Sequence, residues 1–224
     1  MRTISLSLLT ILCLALTGFA QAIYNDGGID GHDNAFFISG PNYLSFNENF
    51  QDISNGFIAA NSGTPSTLEF GEWIVGGLWP SSISYELGTT AFGTDLGSGT
   101  VAQFDRNNHF LFSNSFGWDV YDVTIPVTSA FMTAGNEYWV TLSNATDSNN
   151  SGTEAWDLPN GGSGGPATCN YRQNGTTYGD CGSGGESFTL TSYDSWYTPE
   201  PSSIILFGSG ILGLAGTLRR KLNI

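Results

Sequence analysis

Positive charge is nearly missing from this chain of 224 residues, in which six Lys and Arg stand against twenty Asp and Glu. Four of the six, Arg2, Arg219, Arg220 and Lys221, lie at the ends, so between 23 and 200 only Arg106 and Arg172 oppose all twenty carboxylates, a net charge of 2 − 20 = −18. Such a surface repels phosphate backbones and anionic headgroups; it excludes nucleic acid as a partner and suits cations or neutral sugars. Histidine is as scarce. His32 and His109 are the only two, neither with a recognisable partner, which leaves little material for a His-based triad or a His-rich zinc site. No amphipathic helix of ten or more residues stands out. What is abundant instead is Gly, at 30 residues, together with Ser, Thr, Asn and 13% aromatics, the composition of an extracellular β-protein.

The local patterning is β. Ser82 to Leu87 (SISYEL) alternates strictly, with Ile83, Tyr85 and Leu87 on one face; Asp119 to Val127 aligns Tyr121, Val123, Ile125 and Val127. Glu137 to Asn144 sends Tyr138, Val140 and Leu142 one way and Trp139, Thr141 and Ser143 the other. Further strands are expected at Ala35 to Ile38, Tyr43 to Phe46, Gly56 to Ala60, Thr67 to Val75, Thr100 to Phe104, His109 to Ser113 and Ser187 to Thr191. Short strands separated by Gly, Asn and Ser turns predict an all-β domain, an antiparallel β-sandwich of jelly-roll-like type, over residues 23–195.

The two ends read as signals. Met1 to Ala22 has a positive start, an apolar stretch and an Ala20-Gln21-Ala22 site, the pattern of a signal peptide cut before Ile23 by signal peptidase after passage through the secretion machinery. Cys13 leaves with it, and the remaining Cys169 and Cys181 suggest a disulfide in an exported chain, pinning the Gly- and Ser-rich stretch from Asn160 to Gly185 as a long loop. Closing the loop of about a dozen residues between the two cysteines contributes roughly 3 kcal/mol in the chain-entropy account. At the other end, Ile204 to Leu218 is an apolar run of fifteen residues. As a helix it spans only about 22 Å, short of the ~30 Å hydrocarbon core. Arg219, Arg220 and Lys221 follow at once and are held in the cytoplasm, leaving the preceding domain outside. An ordinary C-terminal anchor is the plain alternative.

Immediately before that run stands Pro199-Glu200-Pro201. A Pro-Glu-Pro tripeptide, a short Gly-containing hydrophobic helix and an Arg-rich end, in this order over residues 196–224, resemble the PEP-CTERM sorting signal of Gram-negative bacteria. The resemblance implies recognition of Pro199, Glu200 and Pro201 by an exosortase, a membrane transpeptidase that cuts near the tripeptide and passes the protein to the cell surface. Proline fixes φ and keeps such a site out of a helix, extended where an enzyme can bind it. The fragments ISYELGTTAFGTDLGSGT and TAGNEYWVTLSNATDSNNSGTEAWDLPNG are in turn similar to β-sandwich domains that precede this signal in exported proteins.

Catalytic chemistry is hard to find. Gly161 to Gly165 matches G-x-S-x-G only by composition, without the strand and helix that a nucleophile elbow needs. Glu69 and Glu72, three apart on one strand, should point to opposite faces, which counts against them as a glycosidase pair. The loop NDGGIDGHDN gathers Asp26, Asp30 and Asp33, carboxylates that suit a structural Ca²⁺, although Asp-Gly and Asn-Asp are also plain turn formers. Each Trp is by default core. Trp139, alternating with Thr141, and Trp156, beside Asp157, are the candidates for stacking on sugar rings. The sequence therefore predicts an exported, non-enzymatic β-sandwich at the cell surface or in the extracellular matrix, associated with the membrane through its tail during sorting, with exopolysaccharide as its candidate partner. A structural matrix component without a defined ligand and a carbohydrate-active enzyme are the rivals.

Overall fold

A computed structural model describes residues 21–25, 27–29, 35–37, 51–75, 78–102, 109–149, 154–157, 169–173, 175–179 and 187–192. All of them belong to one compact unit, Ala20–Asp194. The expected strand at Tyr43 to Phe46, the stretch Met1 to Ala20 and the tail 196–224 lie outside the described residues.

The strands in chain order are β1 (Gln21–Asn25), β2 (Ala35–Phe37), β3 (Gln51–Ile58), β4 (Pro65–Val75), β5 (Pro80–Gly88), β6 (Gly97–Ala102), β7 (His109–Ser113), β8 (Trp118–Pro126), β9 (Glu137–Asp147), β10 (Glu154–Asp157), β11 (Cys169–Gln173), β12 (Thr176–Gly179) and β13 (Phe188–Ser192). All pairings between them are antiparallel. One six-stranded sheet runs β12-β11-β3-β9-β5-β6. The other has seven strands and branches. One edge of β4 carries β8, which in turn pairs with β7, while its other edge is shared between β13, opposite Thr67 to Phe70, and β10, opposite Glu72 to Ile74. The long β4 is thus the spine to which two short strands attach end to end, and the Ser187 N–H donates to the Asp157 carbonyl where they meet.

The sheets are held face to face by one apolar cluster. Leu68, Phe70 and Ile74 of β4, Tyr121, Val123 and Ile125 of β8 and Phe188 and Leu190 of β13 meet Ile53 and Phe57 of β3, Ile83, Tyr85 and Leu87 of β5 and Tyr138, Val140 and Leu142 of β9. These are the phases that the alternation of β5, β8 and β9 predicts. The aromatic centre joins Tyr24, Phe57 and Phe188, with ring centroids 4.9 Å and 5.5 Å apart, to Trp156 and Phe70. Fully burying one such side chain stabilises by about 1.5–3 kcal/mol, and offset or tilted ring pairs add to this.

Several elements depart from the sequence expectation. The Asn160 to Gly185 stretch is not one long loop, because β11 and β12 form a hairpin inside it, Tyr171 opposite Tyr178. β10 escapes alternation analysis because all four of its residues are buried. β1 begins two residues before the expected cleavage point, so Gln21 and Ala22 pair with Ser192 and Thr191. Within β9, Asn144 takes a positive φ of 49° where the register against β5 shifts. The bulge inverts the strand's phase. Before it the even-numbered residues face the core; after it Ala145 and Asp147 are the buried ones.

Candidate functional site

The outer face of the seven-stranded sheet is partly roofed. Gly71 of β4 allows this: a Cβ there would stand 2.7 Å from Ile29 Cγ2 and 2.6 Å from Asp157 Cβ, so only glycine lets the segment Gly27 to Ile29 close onto the sheet. Ile29 then packs with Trp73, Val120 and Ala155, and with the half-buried Phe112 and Trp118, as a second apolar cluster. Trp73 Nε1 donates to Asp157 Oδ1 at 2.7 Å, and its ring stacks on the exposed Phe116.

Beside this cluster the roof leaves a groove of about 210 Å³. Gly27, Gly28 and Ile29 form one wall, Leu111 of β7 another, and Ser187 to Thr189 a third, while Glu69 and Asp122 lie between them. The register puts Asp122 opposite Gly71 and Glu69 opposite Thr124, so the two carboxylates are diagonal neighbours on adjacent strands. Burial raises the carboxyl group of Glu69, and the charge of Asp122 raises it further. Burial also raises Asp122, against the opposing pull of His109, its partner across β7 and β8. Asp122 Oδ1 and Ser187 Oγ are buried without a hydrogen-bond partner in the protein.

A second surface lies on the outer face of the six-stranded sheet. Trp139 of β9, half-buried, sits between Gly56 of β3 and Gly88 of β5, so neither neighbouring strand supplies a side chain to flank the indole on that face. The connection after β5 folds over the adjacent positions. Gly88 meets the Gly93 backbone, Asp95 accepts from Thr89 N–H and Oγ1, and the Phe92 N–H donates to Ser54 Oγ at 3.1 Å. Phe92 adopts a φ of 58°, a costly conformation for a bulky residue. Arg172, the sole Lys or Arg among the described residues, lies 4.2 Å above the Phe92 ring and pairs with Asp52 at 3.5 Å.

The third feature is internal. Glu72, Asp147 and Glu154, all fully buried, come from β4, β9 and β10. Both carboxylate oxygens of Glu72 lack hydrogen-bond partners. Burial, then the charge of Asp147, pushes Glu72 up to about 8. Glu154 is pushed up to about 10 by burial, then by Glu72 and Asp147. At neutral pH these two are carboxylic acids, since desolvation of the charged form exceeds what any local partner returns. Among the described residues no group of three His, Cys, Asp or Glu is arranged to hold a metal ion.

The sequence-predicted residues fare differently. Trp139 is on a surface. Trp156 and Asp157 are not: both are fully buried, Trp156 Nε1 donating to the Ser187 carbonyl and Asp157 accepting from Trp73, so neither offers a face to a sugar. Glu69 is exposed and Glu72 buried, on opposite faces of β4 as the alternation requires. Cys169 is buried at the start of β11. Cys181, Asp26, Asp30, Asp33, the Gly161 to Gly165 segment and Ala20 lie outside the described residues, as do Pro199, Glu200, Pro201, Arg219, Arg220 and Lys221. From the sequence Glu69 is weighed only with Glu72 and Asp122 is passed over, though the alternation of β4 and β8 already turns both groove carboxylates away from the core.

What the tail contributes rests on comparison. Residues 198–221 match the PEP-CTERM protein-sorting motif. The motif is that of an exported protein whose C-terminal signal is sorted by an exosortase, and it covers the tripeptide and the three closing cations. No curated protein matches the chain. Among the described residues no helix is long and apolar enough to cross a membrane, and the apolar run of the motif lies outside them.

Proposed function

We propose that the chain is a cell-surface or extracellular-matrix protein whose β-sandwich is a non-enzymatic module that binds exopolysaccharide. The PEP-CTERM motif is the observation that carries the sorting half of this reading. In it, signal peptidase cuts at Ala22, the tail helix holds the chain in the membrane during sorting with Arg219, Arg220 and Lys221 as its cytoplasmic stop, and the exosortase acts at Pro199 to Pro201. A jelly-roll-like connection of the strands and a Cys169–Cys181 bridge complete the picture.

The binding half is supported by Trp139. A half-buried indole between two glycines on the outer sheet face can present its uncovered part to the C–H face of a pyranose while polar neighbours orient its hydroxyls. The strong negative charge of residues 23–200 directs that preference to uncharged polymers. Two observations weigh against Glu69 and Glu72 as a catalytic pair: they are on opposite faces of β4, and Glu72 is sealed in the core. The test is binding of the purified protein to a broad glycan array and to polysaccharide from its own matrix. Saturable binding that weakens on Trp139→Ala supports the module; failure on every glycan leaves the purely structural reading, and turnover of any polysaccharide would replace it with an enzyme.

A further inference from the structure

We infer that the groove on the outer face of the seven-stranded sheet is a binding site for a neutral, hydroxyl-rich sugar unit, held by Glu69, Asp122 and Ser187. This rests on the exopolysaccharide-binding reading and places a site on the sheet opposite Trp139. At about 210 Å³ the groove is below the ~300 Å³ where sites for drug-sized ligands begin, so it takes one ring-sized group of a longer chain.

Its chemistry is that of a hydroxyl receptor. Asp122 Oδ1 and Ser187 Oγ are buried without protein partners, and a buried polar atom left so costs about 1–3 kcal/mol unless something from outside satisfies it. Carboxylate oxygens accept from vicinal hydroxyls; the serine hydroxyl both donates and accepts. Leu111, Ile29 and the Gly27-Gly28 backbone supply apolar contact for the C–H faces. Uronate, sulfate and phosphate groups are disfavoured, because each would bring an anion beside two carboxylates with no Lys or Arg among the described residues that line the groove.

Glu69→Gln and Asp122→Asn test the site, with calorimetric titration of neutral cello-, malto- and manno-oligosaccharides and of alginate oligomers into the full protein. A thermal melt accompanies each variant; since burial raises both carboxyl groups, the neutral isosteres should hold or raise the melting temperature. The expected result is saturable binding of a neutral oligosaccharide at two classes of site, one of which weakens at least tenfold in each folded groove variant and is kept in Trp139→Ala, with no binding of alginate. Neutral-sugar binding unchanged in both groove variants but lost in Trp139→Ala overturns the inference and leaves the broader reading standing. Alginate binding as tight as that of neutral oligomers also overturns it. Binding of no oligosaccharide, together with failure on the matrix polysaccharide, removes both.

Discussion

Replacing Glu72 by Gln should make the protein less sensitive to rising pH. Glu72 faces the space between the sheets from the same side of β4 as Leu68, Phe70 and Ile74, and neither carboxylate oxygen has a hydrogen-bond partner. Burial and the charge of Asp147 raise it from 4.5 to about 8. A raised folded-state value means that the native protein binds more protons than the unfolded chain across this interval, so this contribution to stability is present in full below about pH 4.5 and is lost as pH climbs towards 8. Each pH unit across the interval costs about 1.4 kcal/mol, so between pH 4.5 and 7 the loss is about 3 kcal/mol. Gln keeps the shape and removes the titration. Denaturant unfolding at the two pH values should show the wild type losing about 3 kcal/mol more than Glu72→Gln, equivalent to roughly 6–12 °C in melting temperature for a domain of this size. Glu154 is raised in part by Glu72, so removing Glu72 should also soften the decline that Glu154 imposes at higher pH. Parallel pH profiles for wild type and variant would refute this account of the buried acids.

Other consequences are local. Trp156→Ala should destabilise by about 3–5 kcal/mol in chemical denaturation, since the indole is fully buried against Phe70 and Phe188. Asn144→Ala should cost about 1–2 kcal/mol because the bulge needs a positive φ, whereas Asn144→Gly should be close to neutral. Gly71→Ala should push the Gly27 to Ile29 segment off the sheet, giving a lower melting temperature and faster hydrogen exchange at residues 27–29.

Alternation was legible wherever one face of a strand meets the core and the other meets solvent, as in Ser82 to Leu87 and Asp119 to Val127. It failed where that condition fails. β10 is buried on both sides and only four residues long; β11 and β12 are short and mostly polar and gain their order from pairing with β3 and with each other. The Asn144 bulge shows how one residue cancels the rule: counting by twos from Leu142 gives the wrong face for Ala145 and Asp147. The same parity that places Leu68, Phe70 and Ile74 in the core places Glu72 there too, so that buried acid was readable in advance. Trp156 was misjudged as a sugar platform because its polar neighbour Asp157 faces Trp73 rather than solvent. No local pattern brings Gly27, Asp122 and Ser187 to one groove, since three separate segments meet there only through the branching of strands at β4.

The central claim is that the tail is a sorting signal, removed once the sandwich is delivered. Intact mass with C-terminal peptide mapping, on protein recovered from the native cell envelope and medium, tests it most directly. A chain that begins at Ile23 and ends near Pro199 to Pro201 is the predicted result; a chain that keeps Arg219 to Ile224 in the membrane fraction would contradict it and make the tail a permanent anchor.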